Sequence, residues 1–191
     1  VMLARTDGSN ATWMRDLSIG HEKVGLAYAA LKSFDSARAA LRRTLELRQT
    51  LLKQQPGNGD WQRDLMACQG NIGDLEMSAG HLDEARTYYE AARDIASRMV
   101  ATNPSDVQWQ RDLVASYGSL GDLEMNAHRF DAARNAYERS LKIAGDLVRT
   151  DPRGGAHAVP GADERSDHAG RRRGSGGHDA RRTADGDQRV S

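Results

Sequence analysis

Three tryptophans, Trp13, Trp61 and Trp109, stand 48 residues apart. Laid over itself at that offset, the chain needs no gaps, and nine positions carry the same residue in all three copies. Besides the tryptophan they are Arg15/Arg63/Arg111, Asp16/Asp64/Asp112, Leu17/Leu65/Leu113, Gly25/Gly73/Gly121, Asp35/Asp83/Asp131, Ala37/Ala85/Ala133, Arg38/Arg86/Arg134 and Pro56/Pro104/Pro152. The second and third copies are near duplicates. A repeating unit of this size buries its apolar face only against its neighbours, so the period selects a stacked array over one closed core.

Each copy reads as two helices. In the third, Ser105 and Gln108 form a capping-box pattern, and the spacing predicts a helix over 106–127. Leu113, Tyr117, Leu120, Gly121 and Leu123 lie along one stripe of it. The break falls at His128-Arg129-Phe130-Asp131, with Asp131 expected to cap the next helix. That helix is expected over 132–150, with Ala133, Tyr137, Leu141, Ile143, Leu147 and Val148 on its apolar side and Pro152 as the stop. The same reading gives helices over 61–79 and 83–102, and over 13–31 and 35–54. The expected fold is therefore all-α, an α-solenoid of three helix-turn-helix repeats over 9–56, 57–104 and 105–153. Leu3-Ala4-Arg5-Thr6-Asp7 matches Leu147-Val148-Arg149-Thr150-Asp151, so residues 1–8 read as the end of a preceding repeat in a longer array.

After residue 153 the character of the chain changes. Residues 154–191 hold 8 Gly, 7 Arg and 3 His, with Val159 and Val190 as their bulky apolar residues. Such a segment cannot bury a core and is expected to be a disordered tail. The abrupt change also resembles an out-of-frame reading. With nothing after Pro152 that can cover it, the side of the last helix that carries Tyr137, Leu141, Ile143, Leu147 and Val148 is expected to be exposed and to promote self-association.

Composition narrows the function classes. Lys plus Arg and Asp plus Glu are both 27, a balance that argues against a nucleic-acid or membrane-surface binder. Hydrophobic residues make up 38% and aromatics 5%, which suits long amphipathic helices with wide polar faces. Cys68 is the one cysteine, so neither an internal disulfide nor a multi-cysteine metal site can form, and a reducing, cytoplasmic setting is expected. No apolar run approaches the roughly 20 residues that span a bilayer. The first seven residues are too short and polar for a signal peptide.

The placement of Gly25, Tyr28, Ala37, Leu41 and Thr44 resembles the tetratricopeptide repeat. So does that of Gly73, Ala85, Tyr89 and Ala92, and of Gly121, Ala133, Tyr137 and Ser140. In that family a small residue of the first helix lets the second pack closely, and an alanine and a larger apolar residue fill the space between. The resemblance covers residues 13–152. The family's unit is about 34 residues long, and its closing proline is displaced here by seven positions, to Pro56, Pro104 and Pro152. Seven residues are close to two helical turns, so each helix lengthens by roughly 10 Å without turning its apolar face away. The result is similar to the long repeats of kinesin light chains.

Candidate chemistry is sparse. His157, His168 and His178 lack the spacing of a metal site. Cys68 falls beside a packing stripe and reads as a buried structural thiol. Gly118-Ser119-Leu120-Gly121-Asp122 lacks the lysine and the preceding strand of a phosphate loop. The Arg-Asp pair after each tryptophan reads as structural, with Asp opposing a helix dipole and Arg bridging to a neighbouring unit. The tryptophans are expected to cover the junctions between units. No nucleophile, base and orienting group come together, so the chain is read as non-enzymatic, without cofactor or metal.

The resemblance implies a protein-interaction scaffold whose concave face, formed by the first helices, holds a peptide or partner domain. The residues it places there are Glu22, Lys23 and Leu26, then Asn71, Asp74 and Met77, then Ser119, Asp122, Met125 and Asn126. Acidic groups and methionines favour a basic or amphipathic ligand. The lysines and asparagines that clamp a C-terminal carboxylate in chaperone-binding members are not matched. The alternative is a structural spacer or oligomerisation segment of a larger signalling protein.

Overall fold

The computed structural model describes residues 7–150, and all of them lie in helices or short turns. The helices are α1 (Asp7–Ala30), α2 (Phe34–Gln54), α3 (Gly59–Ser78), α4 (Leu82–Thr102), α5 (Val107–Asn126) and α6 (Phe130–Thr150). Among the described residues there is no strand. Consecutive helices pack on one another, and α3 also touches both α1 and α5. The odd-numbered helices therefore line one side of the array, and the fold is the expected α-solenoid. The end of a preceding repeat expected at 1–8, the stop at Pro152 and the tail at 154–191 fall largely or wholly outside the described residues.

The turn inside each unit has one geometry in three copies. Lys32, Gly80 and His128, equivalent by the 48-residue period, all take positive φ, at 56°, 84° and 57°. The following residue's N–H reaches back five positions, from Ser33 to Tyr28, His81 to Glu76 and Arg129 to Glu124, at 2.8–2.9 Å. This is the Schellman ending, which satisfies carbonyls the helix leaves free. Only the second copy places glycine at the left-handed position.

Two capping expectations need correction. α2, α4 and α6 begin at Phe34, Leu82 and Phe130, so Asp35, Asp83 and Asp131 lie in the first turn rather than at the cap. The tight Schellman turn delivers the chain straight into the next helix. Asp35 and Asp131 pair with Arg38 and Arg134 at 3.0 Å. At α5 the cap is Asp106, whose carboxylate accepts from the N–H groups of Gln108 and Trp109. Ser105 donates instead to the Asn103 side chain at 2.9 Å. Asn58 caps α3 by accepting from the N–H of Trp61.

The core of the stack falls into three clusters of buried residues. Ala37 and Leu41 of α2 meet Cys68, Ile72 and Leu75 of α3. One unit further on, Ala85 and Tyr89 meet Leu120 and Leu123. Trp109 packs with Leu113 on Ile95 and Ala96 of α4, so it does cover a junction. Equivalent positions are far from equally covered: Trp109 is 3% exposed and Trp13 is 73% exposed. On α6, Leu141 and Val148 are 73% and 68% exposed, while Ile143 and Leu147 are half-buried.

Inside each unit a glycine permits the close approach. A Cβ on Gly25 would meet Leu41, one on Gly73 would meet the Tyr89 ring at 2.6 Å, and one on Gly121 would meet Tyr137. The neighbours differ in freedom, because Tyr89 is 2% exposed and Tyr137 37%. Gly73→Ala is therefore expected to destabilise by roughly 1–3 kcal/mol through overpacking. At Gly121 the Tyr137 ring can swing outward, and alanine's helix propensity, worth about 1 kcal/mol over glycine, offsets the remaining strain. Urea unfolding of the two variants checks that order. Equal losses would show that Tyr137 is as firmly held as Tyr89.

Candidate interaction surface

The side lined by α1, α3 and α5 carries the residues expected to bind a partner. Lys23, Leu26, Asp74, Asp122, Met125 and Asn126 are exposed on it. Glu22, Asn71, Met77 and Ser119 are half-buried, because they also serve the contacts between units. Glu22 accepts from Arg48 and from Asn71 at 2.9 Å. Met77 packs under Tyr89 and Leu123, and its sulfur lies 3.8 Å from the Asn126 amide nitrogen.

Asp74 and Asp122 have partners that the sequence did not reveal. The hydroxyls of Tyr89 and Tyr137 donate to them at 2.5 and 2.7 Å. Burial raises the Tyr89 pKa first and the Asp74 carboxylate adds to it, whereas for Tyr137 the bond to Asp122 is the main cause. One accepted bond leaves each carboxylate with acceptor capacity facing solvent. In the first unit the equivalent positions are Leu26 and Leu41, so the hydroxyl and the carboxylate are absent together.

Units are tied along this side at an offset of one period plus one residue. Arg15 donates to Asp64 at 2.6 Å and Arg63 to Asp112 at 2.9 Å. Arg63 also lies over the ring of Trp109, 4.3 Å from its centre, a cation–π contact. The Arg-Asp pair thus bridges units as expected. Its Asp, set in the second turn of the helix, answers the preceding unit's arginine, and this contact rather than the helix dipole accounts for it.

A second set of ties crosses each junction. Arg38 grips Glu76 through two bonds of 2.7 and 2.8 Å, and His81 adds a third at 2.8 Å. One unit later, Arg86 and Arg129 close on Glu124 in the same way. Both carboxylates are nearly buried, and removing a partner from such a group leaves an uncompensated charge. Cys68 is fully buried, its thiol 3.8 Å from the Leu41 carbonyl, and burial pushes its pKa up to about 12, so it is not a nucleophile at neutral pH. Among the described residues no group of His, Cys, Asp and Glu could hold a metal ion, and no helix is long and apolar enough to cross a membrane. His157, His168 and His178 lie outside those residues.

Comparison with known sequences decides the family. The tetratricopeptide repeat matches residues 65–104 and again 114–147. These are tetratricopeptide repeats. The repeat array is similar in fold to the crystal structure of BtubC (BKLC) from P. vanneervenii, at 20% sequence identity and a TM-score of 0.55. That likeness covers 86% of this chain and 54% of the other, so the chain spans about half of that protein's length. No curated protein matches the sequence.

The junctions make these tetratricopeptide repeats acid-sensitive. The bonds from Arg38, with His81, hold Glu76 at about 2, below its ordinary 4.5, against the opposing effect of burial. For Glu124, burial pushes upward but the bonds from Arg86 and Arg129 outweigh it. A carboxylate lowered on folding stabilises the fold fully above its unfolded pKa, and that stability drains as pH falls through the folded value. Unfolding free energy is thus expected to drop between pH 4.5 and about 2, and Glu76→Gln to flatten that slope while lowering stability at neutral pH. An unchanged slope in acid titrations of the variant would remove Glu76 from this role.

Proposed function

We propose that the chain is a protein–protein interaction scaffold that takes a basic or amphipathic segment on the face formed by α1, α3 and α5, and that it acts without catalysis in the cytoplasm. The observation that carries this reading is the pair Asp74 and Asp122, one in each of the last two units and exposed, flanked by Met77, Met125 and Asn126. Repeated carboxylates one unit apart favour a cationic partner, and methionines adapt to varied apolar side chains. The scaffold role general to tetratricopeptide repeats supports it, and the free, buried Cys68 suits a reducing compartment.

Screening of a peptide array by charge tests the reading. Lys- and Arg-rich peptides are expected to be retained, more weakly at high salt. Asp74→Asn with Asp122→Asn should lower their affinity about threefold to tenfold, since a carboxamide oxygen still accepts the tyrosine hydroxyl and the fold persists. Equal retention of acidic peptides would sink the proposal.

A second reading, an oligomerisation or spacer segment, is favoured by the uneven cover of equivalent residues. Trp13 and Leu17 stand exposed on α1, and Leu141 and Val148 on α6. These are the two faces that meet wherever units adjoin, so one copy can extend the stack of another. Sedimentation at rising concentration is expected to show association that Val148→Lys abolishes. A monomer throughout would leave only the first reading.

A further inference from the structure

Two equivalent spaces lie on the inner side, one between α1 and α3 beside α2, the other between α3 and α5 beside α4. The first is filled. Arg48, 3% exposed, donates to Glu22 at 2.6 and 2.8 Å and to the Asp64 carbonyl at 2.6 Å, while Asn71 donates to Glu22. In the second, the positions of Arg48, Glu22 and Asn71 carry Ala96, Gly70 and Ser119. A cavity of about 140 Å³ remains, lined by Met66, Gly70, Tyr89, Ala92, Ser116 and Ser119.

The cavity is set up for an apolar occupant. Nothing lies within 4 Å of where a Cβ on Gly70 would stand, so neither packing nor a left-handed backbone calls for glycine there. Glycine inside a helix is unfavourable, and what it contributes here is open space. Two of the polar groups at the wall are already engaged, Asp112 by Arg63 at 2.9 Å and the Ser116 hydroxyl by the Asp112 carbonyl at 2.8 Å, and the Ser119 hydroxyl is the third polar group there. A space of about 150 Å³ with apolar walls admits a molecule of benzene's size, comparable to one branched aliphatic side chain. Asp74 and Asp122 stand about one helical turn, some 5 Å, beyond Gly70 and Ser119.

We infer that this cavity is a specificity pocket that takes one aliphatic side chain of a basic partner segment, whose neighbouring Lys or Arg meets Asp74 or Asp122. The inference rests on the scaffold reading above and adds to it what the partner must carry besides charge. The first space is closed by its own Arg48–Glu22 pair.

Fluorescence anisotropy with the full chain and two labelled probes tests this: an amphipathic Lys/Leu peptide and a Lys/Ser peptide of equal charge. The Lys/Leu peptide is expected to bind about tenfold more tightly, the effect of burying one leucine side chain. Gly70→Leu, which fills the pocket from α3, should bring both peptides to the same affinity with helical circular dichroism unchanged. Ser119→Leu closes it from α5 and should do the same, so mispacking of one variant does not decide the matter. If both variants keep the preference for leucine, or if the wild type has none, the pocket is overturned. In either case, weakening of both peptides by Asp74→Asn with Asp122→Asn would leave the scaffold reading standing. Failure of both peptides to bind the wild type would overturn both readings.

Discussion

The contact between Gly73 and the ring of Tyr89 sets how closely the two helices of a unit lie, and much of the surface chemistry follows from it. A Cβ on Gly73 would stand 2.6 Å from that ring, so the helices can approach only where one of them has no side chain. The ring then crosses beneath α3, and its hydroxyl emerges beside Asp74 at 2.5 Å. A buried phenol needs such an acceptor, so the core residue calls for the carboxylate on the surface of α3. Where the core residue is Leu41 the face carries Leu26 instead. The acidity of the surface is thus coupled to the packing of the interior.

Stacking depends on a second, polar set of contacts. Trp109 supplies apolar cover at the junction of α4 and α5, while Arg63 stacks on it and binds Asp112 of the same unit. Hydrophobic burial alone would tolerate sliding of one unit along the next. Paired arginines and carboxylates hold a fixed offset, because slippage would separate partners that face each other at 2.6 and 2.9 Å across a half-exposed junction. The bidentate grip of Arg38 on Glu76 does the same on the other side of the helices. Register and affinity between units therefore come from different residues.

The two inter-unit spaces show how one repeat can serve two ends. An arginine reaching up from α2 closes the first space and ties three helices together through Glu22, Asn71 and the Asp64 carbonyl. The second space gives up that network for Gly70 and Ala96, and stability there falls to the apolar cluster around Trp109. The closed first junction thus stands beside an open second one, which lies in the latter two units together with the Tyr–Asp pairs.

Much of this was legible in the sequence. The 48-residue period pointed to six helices, to the glycine approaches, to the junction cover that Trp109 supplies and to the bridges from Arg15 and Arg63, because each is a demand that the repeat pattern makes visible. The Schellman turns escaped notice, since only Gly80 advertises a left-handed position that Lys32 and His128 also adopt. The cap at Asp106 and the early starts of α2, α4 and α6 depend on backbone path, which neighbouring candidates in sequence do not distinguish. What only the tertiary structure decided is which side chains from three different helices share one space. Arg48 with Glu22 and Tyr89 with Asp74 are meetings of residues 26 and 15 positions apart, and the cavity beside Gly70 joins residues as distant in sequence as Met66 and Ser119, all set by helix spacing and rotation rather than by any local pattern.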